Sequence, residues 1–249
     1  MLIVVAKAQV RYSLRMKWGL ICLLVLWSSS AQAEFLRRTR TEIAWVGKLP
    51  KKTRAEETAV LGSGRNRPLL VYIVSDRVTK DQERFDNVVT AIDQFKLATN
   101  FFECVKIKNA LAEDTKFLEG LKFRAPAIIV FSADRSKYQV VKGRASAIKA
   151  VSAMRAIGQA AYQSNIKKTL QKGKVLLSRY DQISDSQNAI DIKTRRWNDY
   201  LSKKANAKAA AIRRDLDKDI AARAKYLADT DARWKKLWTL KRKWPKAKK

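Results

Sequence analysis

Arg124-Ala125-Pro126-Ala127-Ile128-Ile129-Val130-Phe131 decides the fold of this chain. Five consecutive apolar residues after a proline read as a strand buried on both faces, because a half-buried strand would alternate with polar residues. Pro126 has no N–H to give to a neighbouring strand, so it marks the strand's entry. Toward the C-terminus, Ser132-Ala133-Asp134-Arg135-Ser136 turns into a further strand, Tyr138-Gln139-Val140-Val141, which Gly143 ends. Ala145 to Gln163 then reads as a helix with Ile148, Val151, Met154 and Ile157 on its apolar face. Toward the N-terminus lie a short helix from Leu111 to Leu121, with Leu111, Leu118 and Leu121 on one face, and a strand from Asn100 to Lys108. Thr79 and Gln82 can form a capping box ahead of Phe85, Val88, Val89, Ile92 and Phe95, which recur at helical spacing. Before them comes a second all-apolar run, Leu69-Leu70-Val71-Tyr72-Ile73-Val74. The order strand–helix–strand–helix–strand–strand–helix predicts an α/β fold, a mixed sheet flanked by helices.

That order, the Arg124-Ala125-Pro126-Ala127 step into an apolar strand, and the hairpin with Val141-Lys142-Gly143 resemble thioredoxin over roughly residues 67–163. The resemblance implies that Pro126 holds the position of the family's cis-proline, which faces the dithiol; X-Pro is the bond type in which cis costs least. A structural role in the turn and a retained peptide-binding edge are both open for it. The dithiol itself is missing. The resemblance places the Cys-x-x-Cys at Val78-Thr79-Lys80-Asp81, just past the first strand. The chemistry needs a thiolate stabilised at a helix N-terminus and a resolving thiol one turn on, and neither valine nor aspartate is one. The acid that thioredoxins bury in that strand is matched by Tyr72. The fold is expected to survive and the redox chemistry not.

Composition narrows function further. The 249 residues contain no histidine and two cysteines, Cys22 and Cys104, which excludes His-based nucleophile pairs, His-ligated zinc and Cys-only metal sites. No cofactor motif, metal set or catalytic residue is assigned. Cys104, in Phe101-Phe102-Glu103-Cys104-Val105, reads either as a small buried apolar residue or as a reactive or intermolecular thiol.

Residues 1–33 are expected to be a secretory signal peptide. Lys17 precedes a ten-residue apolar run, Trp18 to Trp27, and Ala31-Gln32-Ala33 forms a small-x-small exit before Glu34. Ten residues rise only ~15 Å as helix, too short for a membrane anchor. Gly19-Leu20-Ile21 before Cys22 does not match a lipoprotein box. Met16 is an alternative start that gives the ordinary layout of such a signal. Cleavage between Ala33 and Glu34 makes the protein periplasmic or secreted. Residues 34–66 form a polar lead-in, with Gly62-Ser63-Gly64 as its flexible stretch.

The remainder, 164–249, reads as a basic helical region. It holds 25 Lys/Arg against 9 Asp, a net of 25 − 9 = +16 within a chain of formal charge +30. Ile183, Ile190 and Trp197 step by seven; Leu216, Ile220, Leu227, Trp234 and Trp238 step by four, seven, seven and four. These steps predict a helical hairpin or short coiled coil, broken at Ser184-Asp185-Ser186 and able to support oligomerisation. At its end, Arg233, Trp234, Lys235, Lys236, Trp238, Lys241, Arg242, Lys243, Trp244 and Lys246 interleave basic residues with aromatics, as contacts to a polyanion would. The alternative has the tryptophans packing on the α/β unit and the lysines solvated. The implied partners are an unknown protein or an anionic polymer or membrane surface of the cell envelope, with nucleic acid less favoured because no nucleic-acid fold motif is present. The expectation is an exported, redox-inactive binding or scaffold module. Its alternative is a thiol–disulfide enzyme working through Cys104 or a partner's dithiol. A peripheral binder of anionic lipid or wall polymer would be a more specific form of the first.

Overall fold

The structure, a computed structural model, describes residues 40–61, 67–143 and 146–240. The expected signal segment, its Ala33–Glu34 exit, Gly62-Ser63-Gly64 and the basic run from Lys241 to Lys246 lie outside the described residues. The chain divides into two compact units, one of Thr41–Leu176 with the residues from Arg233 on, the other of Leu177–Ala232 with residues up to Arg40.

The first unit is built on a five-stranded sheet. Its strands are β1 (Trp45–Val46), β2 (Leu69–Val74), β3 (Glu103–Lys108), β4 (Ala127–Phe131) and β5 (Tyr138–Lys142), in the spatial order β1-β3-β2-β4-β5. β1 and β2 run parallel to β3, while β4 is antiparallel to β2 and to β5. β2 and β4, the two all-apolar runs, are the interior strands, as burial on both faces requires. On one face Leu69, Val71, Ile73, Val105, Ile107, Ile129 and Phe131 pack with Ala112, Phe117 and Leu118. On the other, Tyr72 stacks on Phe85 at 5.7 Å and lies 5.6 Å from Trp45. This mixed sheet with helices on both faces and a β4–β5 hairpin is a thioredoxin-like α/β fold, followed by long C-terminal helices.

Five helices accompany the sheet: α1 (Arg54–Val60), α2 (Lys80–Phe85), α3 (Asp93–Thr99), α4 (Asn109–Glu113) and α5 (Ala147–Gly158). The described part of the polar lead-in, residues 40–61, is therefore structured. It supplies the edge strand β1, and a capping box of Thr53 and Glu56 opens α1. α2 does not run unbroken to Phe95: a π-helical segment, Asp86–Thr90, and extended backbone at Ile92 separate it from α3, leaving Val88 and Ile92 exposed. The expected helix at 111–121 is instead α4 and a 3₁₀ turn, Lys116–Leu118, so Leu111 points to solvent while Leu118 is buried. Ile148 is also outside the core; Val151, Met154 and Ile157 carry the buried face of α5. Arg135, in left-handed conformation at φ 58°, latches α1 to the β4–β5 turn. It lies 3.6 Å from Glu57 and 3.9 Å from Glu103, and donates 2.8 Å to the Arg67 carbonyl.

Two helices follow, α6 (Ile166–Ser202) and α7 (Asn206–Trp238), and the division between units falls inside both. Ser184-Asp185-Ser186 does not break the helix. Ser186 donates its hydroxyl to the Ile183 carbonyl at 2.8 Å, and the buried stripe Ile183, Gln187, Ile190 continues through it. The turn comes at Lys203-Lys204-Ala205, where Lys204 is left-handed (φ 57°) and the Ala205 N–H reaches the Tyr200 carbonyl at 2.9 Å.

Candidate functional site

β2 ends at Val74, and α2 starts six residues on with Thr79 as its N-cap, whose hydroxyl accepts from the Gln82 N–H at 3.1 Å. Val78-Thr79-Lys80-Asp81 therefore sits at the helix start, and all four are exposed, Val78 at 79%. The Ala125–Pro126 bond is cis, and Pro126 stands one step beyond the Ile73–Ala127 pair, at the same end of the sheet. Its carbonyl accepts from the Gly143 N–H at 3.1 Å, which ties the proline to the end of β5. The four residues of this helix start are thus presented at the surface, and none of them is a cysteine.

Gln82 completes only half of the expected capping box. Its side chain turns inward, accepting from the Ser75 N–H at 3.0 Å and donating to Asp86 at 3.0 Å and to the Tyr72 hydroxyl. Tyr72 in turn donates to Asp86 at 2.5 Å, and Thr90 donates to the same carboxylate at 3.1 Å. Burial, and then the Asp86 carboxylate, push the Tyr72 phenol well above its ordinary range. A neutral, hydrogen-bonded phenol so placed accepts no proton at physiological pH; it holds the start of α2 against β2. Asp76, in the same loop, accepts from the Ala110 N–H at 3.0 Å and so caps α4.

Cys104 lies in the middle of the sheet between Trp45 of β1 and Leu70 of β2, 5% exposed. Burial pushes its thiol up to about 12, against the pull of Arg67. The thiolate, which is the nucleophile, is then scarce near neutral pH.

At the end of α7 the interleaved residues separate by role. Trp234 is buried, and its ring lies 5.7 Å from that of Trp238. Trp238 meets Phe101 edge-on at 5.6 Å and comes within 3.4 Å of a Cβ built on Gly173. Neither indole is presented for stacking on a ligand, because α7's apolar stripe carries both rings into the core of the α/β unit. Arg233, Lys235 and Lys236 are on the exposed side, and the two lysines occupy the last turn, where cations complement the helix dipole.

In the helical unit the seam is more polar than the seven-residue steps suggest. Ile183, Ile190 and Leu216 are buried as predicted, but so are Gln187, Arg223 and Thr230. Gln187 donates to Asp191 at 2.7 Å, and Arg223 donates to the Ile183 carbonyl at 3.3 Å. Arg179 pairs with Asp229 at 3.0 Å, Tyr180 donates to Asp231 at 2.6 Å, and Arg213 lies 5.1 Å over the ring of Trp197, which is half-buried. Ile220 and Leu227 are also half-buried. A groove of about 410 Å³ on this unit is lined by small and polar residues, among them Ser186, Ala189, Ala222 and Tyr226. No described helix is long and apolar enough to cross a membrane, and among the described residues no group of acidic or cysteine side chains is placed to hold a metal.

No protein-family model matches the sequence, and no curated protein matches it. A search of solved structures finds a chain titled "DsbH Oxidoreductase", at 12% identity and a TM-score of 0.32, covering 47% of this chain and 88% of that one.

Proposed function

We propose that this is an exported, redox-inactive protein of thioredoxin-like fold that works as a binding or scaffold module, its basic helical region meeting an anionic partner of the cell envelope. The observation that carries the reading is the helix start at Val78–Asp81, exposed, directly beyond β2 where the resemblance puts the dithiol, and without a thiol, while the described cysteine, Cys104, is buried with its pKa raised. A fold that keeps the frame of a redox site and lacks both reacting atoms retains only its surface to act with.

The exported form is expected to reduce insulin disulfides no faster than dithiothreitol alone. Catalysis that disappears in Cys104→Ser would overturn the reading in favour of a thiol enzyme. A companion measurement uses the double variant Val78→Cys with Asp81→Cys. Thiols three residues apart at a helix start can form an intramolecular disulfide, and their pairing on oxidation checks the register of the site.

A further inference from the structure

Charge is segregated along the hairpin of α6 and α7. Lys193 pairs with Asp219 across it and Arg179 with Asp229, so the two helices run antiparallel on either side of the turn at Lys203-Lys204-Ala205. Residues 193–214, the half next to that turn, hold eight Lys/Arg and one carboxylate, Asp199, a net of 8 − 1 = +7. The other half, 177–192 with 215–232, holds four Lys/Arg and eight Asp, a net of 4 − 8 = −4. Both halves belong to the same compact unit. In the turn half, Lys193, Lys203 and Arg213 are matched by Asp219, Asp199 and Asp217. Arg195, Arg196, Lys204, Lys208 and Arg214 are exposed, and among the described residues none of the five has a carboxylate within 4.0 Å. Beside the turn, Leu201 is 44% exposed, and Tyr200 is half-buried with the Lys208 ammonium 5.9 Å over its ring.

We propose that this turn docks end-on against an anionic lipid surface, with Leu201 and the Tyr200 ring entering the headgroup layer and the five unmatched cations ringing them. The proposal rests on the binding-module reading and names its partner and its point of contact. An exposed leucine and an amphipathic ring among lysines with long apolar stems suit a membrane interface, where apolar groups leave water and ammonium groups stay with the phosphates. The spread of charge around the hairpin favours a plane over a rod. Successive helix positions point about 100° apart, so Arg195 and Arg196 diverge, and Lys208 and Arg214, six positions apart, diverge by about 120°. A duplex laid along one side would meet only part of this ring, whereas a plane meeting the end is reached by all of it. At about 1.5 Å per residue, Arg196 and Arg214 stand about 9 and 12 Å back from the helix ends at Ser202 and Asn206. A headgroup layer about 5–7 Å deep and a Debye length of about 8 Å keep both within the field of a surface the turn has entered. The eight Asp of the other half oppose a side-on approach to a negative surface, which fixes the orientation.

The test is cosedimentation of the full chain with vesicles of phosphatidylglycerol and phosphatidylcholine. One variant is Arg196→Gln with Lys204→Asn and Lys208→Gln, asparagine being suited to the left-handed position. Another is Leu201→Gln. A charge-matched control is Lys52→Gln with Lys116→Gln and Lys137→Gln, exposed lysines of the other unit. Circular dichroism and Tm establish that all three remain folded. A basic residue near an anionic surface contributes about fivefold in affinity, so we expect the turn triple to weaken binding by about tenfold or more. Leu201→Gln should weaken it by about threefold or more, and the control by less than about twofold. Unchanged binding in the turn triple or in Leu201→Gln would overturn the proposal, and so would equal weakening in the turn triple and the control. Binding to heparin without binding to the vesicles would leave the anionic-partner reading standing and sink this proposal. If duplex DNA binds more tightly than the vesicles and is lost in the turn triple but not in Leu201→Gln, the partner is a nucleic acid and the lipid assignment falls. It falls equally if the turn triple dissociates a dimer seen by sedimentation without vesicles, because the turn then meets the acidic half of a second copy. Insulin reduction by the protein would instead sink the redox-inactive reading while leaving this comparison readable.

Discussion

At the scale of single residues, Cys104 shows how burial holds back the ionisation of a thiol. Its position opposite Leu70 and Trp45 strips water from the sulfur, and an ionised thiol there loses hydration that the pull of Arg67 does not make up. The folded pKa is about 12, above the thiol's ordinary 9.0. A group whose pKa is raised on folding contributes stability that is complete below the unfolded pKa and is lost as pH rises through the folded one. Between pH 8 and 10 stability should fall as the unfolded thiol ionises, with the raised Tyr72 and Tyr180 phenols adding to the fall toward pH 10, and Cys104→Ala should make the slope shallower by up to about 1.4 kcal/mol per pH unit. Denaturant titrations at pH 8, 9 and 10 measure it; a slope unchanged in Cys104→Ala would contradict the burial of the thiol. Tyr72 offers a second check. Tyr72→Phe leaves the Gln82 amide and the Asp86 carboxylate short of a partner in a buried setting, and should cost about 1–3 kcal/mol in chemical denaturation.

At the scale of elements, two glycines in helices predict opposite outcomes. Exchanging glycine for alanine inside a helix gains about 1 kcal/mol if the new methyl group has room. At Gly173 in α6, the added carbon would sit 3.4 Å from Leu97 and Trp238, an ordinary contact, so Gly173→Ala should be neutral or stabilising by up to about 1 kcal/mol. At Gly158, the end of α5, the same carbon would come within 2.9 Å of the Phe102 ring and 3.3 Å of Ile166. The ring lies in the core and cannot retreat, so Gly158→Ala should lower stability by about 1–3 kcal/mol despite its helix propensity. Thermal denaturation of both variants checks the signs. The same packing bears on the end of α7. Trp234 and Trp238 belong to the α/β unit, so cutting the chain after Asp231 should destabilise that unit, by about 3–5 kcal/mol for a buried tryptophan.

At the scale of the whole molecule, a net charge of +30 makes some affinity for polyanions unavoidable, and the useful question is where it resides. Residues 233–249 carry nine Lys/Arg and no carboxylate. If about six meet phosphates of duplex DNA, the log–log dependence of affinity on salt should have a slope near −5, and a shallower one on single strands. Replacing Lys235, Lys236, Lys241, Arg242 and Lys243 with Gln tests the region without removing its packed tryptophans. An unchanged slope and affinity on heparin and DNA would show that the tail only solvates the helix end. Because Trp234 is buried and Trp238 is packed on Phe101, their emission should stay constant on binding.

Much of this protein follows from its order of residues alone. The apolar runs Leu69–Val74 and Ala127–Phe131 read as strands covered on both faces, and the absence of histidine and of any cysteine beyond Cys22 and Cys104 removes whole classes of chemistry. Local rules also hold at Thr79, whose hydroxyl caps α2 as its sequence position predicts. Tertiary structure decided what local rules leave degenerate. The Thr53-x-x-Glu56 pattern of a capping box was present but stood in a polar stretch, and only pairing with β3 makes Trp45–Val46 a strand. The break between α6 and α7 lies at Lys204 and not at Ser184–Ser186, because a serine weakens a helix by tenths of a kcal/mol, which a continuous buried seam outweighs. The gathering of Arg77, Lys80, Lys108, Arg124 and Lys142 at one end of the sheet has no signature along the chain. Strand direction alone gathers these residues at one end of the sheet, and direction is set by which strands pair, a property of the folded whole.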